Sequence, residues 1–162
     1  LTPAIRPLDA GADLARVVAF WRAAPDYWLL AEGGCDAQAK AREFFTDAPP
    51  GSDPALSHRL GLFLAGRLSG LAELSFGYPG PEDAYLGLMV LGPWSRGAGH
   101  GRTLLAEVER RARAAGARTL FLAVLERNPR GRAFWTREGF RPTGSGRADP
   151  LGGWIERLAK TL

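Results

Sequence analysis

Apolar positions along the chain alternate between two periods. Ala4-Ile5-Arg6-Pro7-Leu8 reads as a short strand. Asp9 to Asp13 offers N-caps for a helix through Leu14, Val17, Val18, Phe20 and Trp21, closed at Pro25-Asp26. Gly33-Gly34 breaks the chain, and a second helix is expected over 36–45. Residues 47–54, with three prolines and a glycine, read as loop. His58 to Leu64 and Leu68 to Phe76 flank Ala65-Gly66-Arg67 as a hairpin. After a turn at 77–83, residues 84–91 form an apolar strand. A helix over 102–115 buries Leu104, Leu105, Val108 and Ala112 and stops at Gly116. Thr119 to Leu125 is a buried strand, 129–138 a short helix, and two last strands fall near 140–143 and 154–158. The order β-α-α-β-β-β-α-β-α-β-β predicts an α/β fold of the α+β kind, a mixed sheet flanked by helices, with residues 1–162 as one domain.

The chemistry concentrates where the strand 84–91 meets the helix at 102. Arg96-Gly97-Ala98-Gly99-His100-Gly101 is a glycine-rich turn delivered by a strand into a helix N-terminus. Backbone N–H groups converge there at the positive end of the helix dipole, which suits a phosphate; a tight turn with no ligand is the plain alternative. A nucleotide P-loop is excluded because no Lys follows the glycines, and a dinucleotide fingerprint fails because Arg102 stands where its third glycine belongs.

The pattern Arg96-x-x-Gly99-x-Gly101 resembles motif A of the GNAT acetyltransferase superfamily. Downstream, Asn128-Pro-Arg-Gly-Arg-Ala-Phe134-Trp135, ending in Gly139-Phe140, resembles its motif B. The resemblance implies a GNAT-like fold whose fourth and fifth strands, here 84–91 and 119–125, splay apart around a pantetheine arm. It implies acetyl-CoA as cosubstrate, with no metal, and transfer of acetyl to a primary amine of a small molecule or peptide. Direct attack in a ternary complex is expected. A module that binds acyl-CoA without turnover, as a sensor or interaction domain, is the alternative.

The resemblance also distributes roles. Met89, Val90 and Leu91 would run beside pantetheine, chiefly through their backbone. Arg96, Gly97, Ala98, Gly99, His100, Gly101 and Arg102 would hold pyrophosphate. Asn128 would meet the cofactor or cap its helix, Pro129 suiting the first helical position. Trp135 stands where many relatives carry a tyrosine proposed to protonate the leaving thiolate. An indole N–H donates a hydrogen bond but is no acid near neutral pH, so Trp135 is expected to pack against the cofactor. A base must deprotonate the incoming ammonium, and Glu73 and Glu126 are the candidates. The acceptor site would be shaped by Trp21, Asp26, Tyr27, Trp28 and Glu32, an aromatic and acidic set suited to a cation.

Charge refines the picture. The net charge is +4, yet residues 96–141 carry eleven Arg against four Glu. The positive charge thus sits on the segment with the glycine turn, as a polyanionic cofactor requires. Nucleic acid is disfavoured, because aromatic residues do not interleave with the basic ones. The uncharged stretch 84–95 is too short to cross a bilayer, so no membrane role is expected. A single cysteine, Cys35, excludes an internal disulfide and any multi-cysteine metal site. A cytoplasmic location is expected, and a homodimer is compatible with these features.

Overall fold

The computed structural model describes residues 2–162. The chain runs β1 (Ala4–Pro7), α1 (Ala10–Ala23), α2 (Asp26–Glu32), α3 (Ala37–Thr46), β2 (His58–Leu64), β3 (Arg67–Phe76), β4 (Asp83–Leu91), α4 (His100–Ala114), β5 (Thr119–Leu125), α5 (Pro129–Arg137), β6 (Arg141–Ala148) and β7 (Trp154–Thr161). Single 3₁₀ turns at Pro54–Leu56 and Pro93–Ser95 lead into β2 and α4. Among the described residues, seven strands form one mixed sheet in the order β1-β2-β3-β4-β5-β7-β6, in which only β4 and β5 are parallel.

Sequence reading and structure differ at three places. Residues 26–32 form α2, a helix beyond the two expected before the hairpin. Pro25 ends α1 but then serves as the N-cap of α2, and Gly33, in the left-handed region at φ 79°, closes it. Helix α4 begins at His100, two residues early, because Gly99 at φ 86° turns the chain directly into the helix. Strand β6 runs to Ala148, through Gly144-Ser145-Gly146. Every residue of it is exposed, so it has no apolar alternation by which to announce itself.

The sheet buries both faces over β2–β4. On one side, Leu104, Leu105, Val108 and Ala112 of α4 meet Leu60, Leu62, Leu74, Leu86, Leu120, Leu122 and Leu158. On the other, Val17, Phe20 and Trp21 of α1 and Phe44 of α3 meet Phe63, Leu71 and Val90. Successive residues of β4 therefore serve different cores: Met89 and Leu91 pack on the α4 side, Leu88 and Val90 on the α1–α3 side.

The pairing of β4 with β5 is short. It covers Asp83–Thr119, Ala84–Leu120 and Tyr85–Phe121 and then stops, although β4 continues to Leu91 and β5 to Leu125. The expected splay is present, and it opens toward the segments that lead into α4 and α5.

The first helix is secured by charge. Asp9 accepts a hydrogen bond from the Ala12 amide at 2.8 Å. Asp13, 2% exposed, accepts two from the Arg6 guanidinium at 2.9 and 3.0 Å and one from the Asp9 amide at 2.9 Å. Arg6 foremost holds the Asp13 carboxyl down at about 2. Its unfolded value is about 3.9, so the stabilisation is complete above about pH 4 and is lost as pH falls through about 2. Acid unfolding of the wild type should therefore steepen between these values, and Asp13→Asn should be less stable at neutral pH and flatter in that window. Parallel acid titrations of the two proteins by circular dichroism check this.

Candidate active site

The opening between β4 and β5 leaves the facing backbone edges of residues 86–91 and 122–125 without a strand partner. At its far end lies the glycine turn. Gly97 (φ 79°) and Gly99 (φ 86°) adopt backbone conformations that disfavour side chains, and both border open space. Helices α1, α3 and α5 are capped by side-chain oxygens of Asp9, Asp36 and Asn128, whereas α4, like the short α2 behind Pro25, has no side-chain cap. Among the described residues, the amide N–H groups of Gly97 to Arg102 meet no protein acceptor. This uncapped end leaves its donors unsatisfied, which is what an anion cradle requires.

Individual side chains around the turn do different work. The Arg96 guanidinium grips the Leu91 carbonyl at 2.9 and 3.2 Å and pairs with Asp26 at 2.7 Å, tying α2 to the end of β4. Gly101 is buried, and a Cβ there would come within 3.2 Å of the Phe134 ring; its missing side chain lets α5 approach α4. Ala98 is exposed and His100 half-buried. Arg102 points outward and pairs with Glu138 at 3.2 Å. Asn128 caps α5, its Oδ1 accepting from the Gly131 amide at 3.0 Å. Trp135 is 9% exposed and sits in the α4-side core, edge-on to Phe134 and Phe140. Arg132 pairs with Glu156 on β7.

On the opposite face of the sheet, where no described helix covers β5 and β7, lies a cavity of about 630 Å³. Gly87 and Ala123 stand on its floor at the mouth of the opening. Glu73 of β3 enters it from one side. The register of β3 with β4 slips between Glu73 and Leu74, leaving Gly87 as the extra residue of a β-bulge. A Cβ on Gly87 would lie 2.1 Å from Glu73 Oε2, so the carboxylate occupies the space that a side chain would take. Glu73 is 6% exposed and accepts a hydrogen bond from Ser75 Oγ. Burial pushes its carboxyl up from the ordinary range, against the opposing pull of Ser75 and Arg59. Tyr78, Tyr85, Arg147 and Arg157 complete much of the lining.

The structure separates the two candidate bases. Glu126 is exposed, its carboxylate over Gly153, and it does not border the cavity. Nor does the cavity include the expected acceptor set. Trp21 is fully buried against Phe20 and Trp28, Tyr27 packs edge-on to Trp28, and Asp26 pairs with Arg96. Glu32 pairs at 2.6 Å with Lys40, whose ammonium lies 4.0 Å from the Trp28 ring centre. Only Trp28 borders a second, smaller cavity of about 80 Å³, which Glu73 and Gly87 also touch. The carboxylates of this cluster are thus already matched by cations of the chain itself. Arg147, Arg157, Tyr78 and Asp47 were missed in the sequence because the segments that carry them look like loop or polar edge; no motif marks them.

The sequence profile of the Acetyltransferase (GNAT) family matches residues 17–140, which span both the glycine turn and Trp135. The chain belongs to the GNAT acetyltransferase family. No curated protein matches it in sequence. Its fold is that of solved GNAT structures. An acetyltransferase from Thermus thermophilus superposes with a TM-score of 0.75 at 26% identity, over 100% of this chain and 98% of that one. The PaiA N-acetyltransferase of Thermoplasma acidophilum, solved with coenzyme A, gives 0.74 at 20% identity over 100% of both chains. The ribosomal-protein-S18-alanine N-acetyltransferase of Escherichia coli gives 0.72 at 18%, over 99% and 94%. No described helix is long and apolar enough to cross a membrane.

Within this GNAT chain, Arg96 and Asp26 act as a tether, which can be tested directly. Arg96→Ala and Asp26→Asn should each speed hydrogen exchange of the α2 amides, with Arg96→Ala the stronger because it also releases the Leu91 carbonyl. Exchange mass spectrometry over residues 26–32 reads the effect; unchanged protection in both variants would contradict the tether.

Proposed function

We propose that this GNAT protein transfers an acetyl group from acetyl-CoA to a primary amine of a small molecule or peptide, by direct attack. One observation carries the reading: the sheet opening has an uncapped helix N-terminus at one end and a buried carboxylate, Glu73, at its mouth on the opposite face. The donor set fits the cosubstrate, since unsatisfied amides suit a pyrophosphate and the bare edge of β4 suits the amides of pantetheine.

When bound, acetyl-CoA supplies a thioester carbonyl as the electrophile and a thiolate as the leaving group. The amides of Gly97 to Arg102 hold the pyrophosphate, and the backbone of Met89, Val90 and Leu91 aligns the pantetheine arm. Arg96 keeps the end of that strand edge in place through the Leu91 carbonyl. Glu73 receives one proton of the ammonium at its carboxylate, the amine nitrogen then bonds to the carbonyl carbon, and as the carbon–sulfur bond breaks the nitrogen's surplus proton passes to the departing thiolate through water. A thiol of reference pKa about 8.5 leaves acceptably as the thiolate. Trp135 therefore need not act as an acid, and its place in the core supports a structural role. The competing reading, an acyl-CoA-binding module without turnover, rests on that tryptophan.

Calorimetric titration with coenzyme A tests the first half of the proposal. Gly99→Asp places a carboxylate and a strained side chain in the cradle and should weaken binding at least about tenfold; equal affinity in both proteins would remove the assignment. Thiol release with a panel of amines tests the second half. Wild-type kcat/KM should fall as pH drops through the raised pKa of Glu73, because the base must be unprotonated. Glu73→Gln should lose about 100-fold and that limb of the profile. A Glu73→Gln variant with undiminished turnover would move the base elsewhere.

A further inference from the structure

The cavity carries charge of both signs, held apart. Glu73 and Asp47 line it together with Arg147 and Arg157, yet neither of these carboxylates lies within 4.0 Å of either guanidinium. Some cations elsewhere are paired, Arg6 with Asp13, Arg127 with Asp149 and Lys160 with Glu109, while Arg59 is held by backbone carbonyls alone. Arg157 is half-buried. It donates to the Tyr78 hydroxyl at 2.7 Å and lies 5.3 and 5.9 Å from the ring centres of Tyr78 and Tyr85. Two aromatic rings thus hold the guanidinium in position without neutralising it. A partly desolvated cation with no anion partner is costly to keep, and that cost falls when a ligand brings the anion.

The strand register fixes where the charges stand. Glu73 pairs with Leu88 in β4, and Arg157 pairs with Ala123 in β5. Two residues beyond the last β4–β5 pair, Gly87 and Ala123 face each other across the opening. Glu73 and Arg157 therefore flank the mouth of the opening, one from β3 and one from β7, on the same face of the sheet. Their Cα atoms are separated by three strand spacings, about 14 Å or somewhat more with the splay. With both side chains reaching into the cavity, the gap suits a small molecule that bears an amine at one end and an oxyanion at the other.

We propose that the acceptor is a small amino acid: its amine is delivered at Glu73 while Arg157 holds its carboxylate. The inference rests on the acetyltransferase reading and deepens it. A guanidinium matches a carboxylate through two parallel N–H donors, which orients the molecule as well as binding it. The same cation rejects a diamine, whose second ammonium would be driven against Arg157 and Arg147. Selection thus comes from the guanidinium side of the cavity, while the Asp26 and Glu32 carboxylates remain matched to Arg96 and Lys40.

The test uses matched acceptors: amino acids of increasing chain length, each with its carboxamide, its decarboxylated amine, the corresponding diamine and the aminoalkylphosphonate. Thiol release gives kcat/KM for each. Wild type should favour the carboxylate over the carboxamide by about tenfold or more, the scale of one hydrogen bond to a charged group, mainly through KM. Arg157→Gln should bring that ratio close to one, and Arg157→Lys should restore part of it. A phosphonate preferred over the carboxylate by about tenfold or more would mark the oxyanion as a phosphonate and overturn the amino-acid assignment, whereas weaker use of the phosphonate supports it. Equal use of carboxylate and carboxamide, preference for the diamine, or an unchanged ratio in Arg157→Gln would each overturn the proposal. Calorimetric binding of the same series to the coenzyme A-saturated protein gives a readout without turnover. If no amine is acetylated but carboxylates bind in an Arg157-dependent way, the acetyltransferase reading fails while the site stands; if neither binds, the site fails.

Discussion

Three residue pairs join β4 to β5, and the point at which that ladder stops governs the rest of the molecule. The bulge at Gly87 lies two residues beyond the last pair. A bulge bends its strand and increases the local twist, which carries β4 away from a partner that β7 holds along its other edge. The opened edges keep their backbone donors and acceptors, and the same distortion creates the space that Glu73 occupies. Opening and buried carboxylate therefore share one local cause, and Gly87 is the residue that permits both, because any side chain there would collide with the carboxylate.

The helix ends around this opening are specialised by what they lack. Three helices spend an Asp or Asn on their own first turn; the short α2 and the long α4 spend none, and only α4 opens on a glycine turn. A self-satisfied N-terminus is stable and inert; an unsatisfied one costs stability and can receive an anion. The surrounding core meets that cost. Leu104, Leu105, Val108 and Ala112 anchor α4, and Glu109 ties it to β7 through Lys160 at 2.9 Å. Gly101 shows how the two demands meet in one turn: it lies in the cradle segment, yet its missing side chain is needed by Phe134.

Legibility in the sequence followed the range of the interactions involved. The glycine turn, the four buried positions of α4, its stop at Gly116, the Asn128 cap and the β4–β5 splay were all readable, since each is written in contiguous residues or in a motif. Helix α2 was not, because Pro25 ends one helix and caps the next, and a proline alone does not say which. The cavity was not legible either. Asp47, Tyr78, Arg147 and Arg157 come from four separate segments, and only the sheet order β4-β5-β7-β6 brings the last two to the β5 side of the opening. The aromatic and acidic residues of α1 and α2 read as an acceptor site because no sequence pattern marks their partners: Arg96 lies 70 residues from Asp26, and Lys40, the partner of Glu32, belongs to the next helix.

The β6–β7 hairpin divides its labour by strand. β7 sends Leu158 into the core, while every residue of β6 is exposed. Outside Gly144, at φ 82°, and Gly146, where a Cβ would strike the Ile155 carbonyl, replacing side chains along β6 removes no buried apolar surface, so the stability cost is small. Yet β6 contributes Ser145, Gly146 and Arg147 to the cavity wall. The wall of the cavity can thus change its side chains by drift along a single edge strand, with the opening, the uncapped helix end and the buried carboxylate inherited intact. An edge strand that buries no side chain leaves its sequence the most room to change.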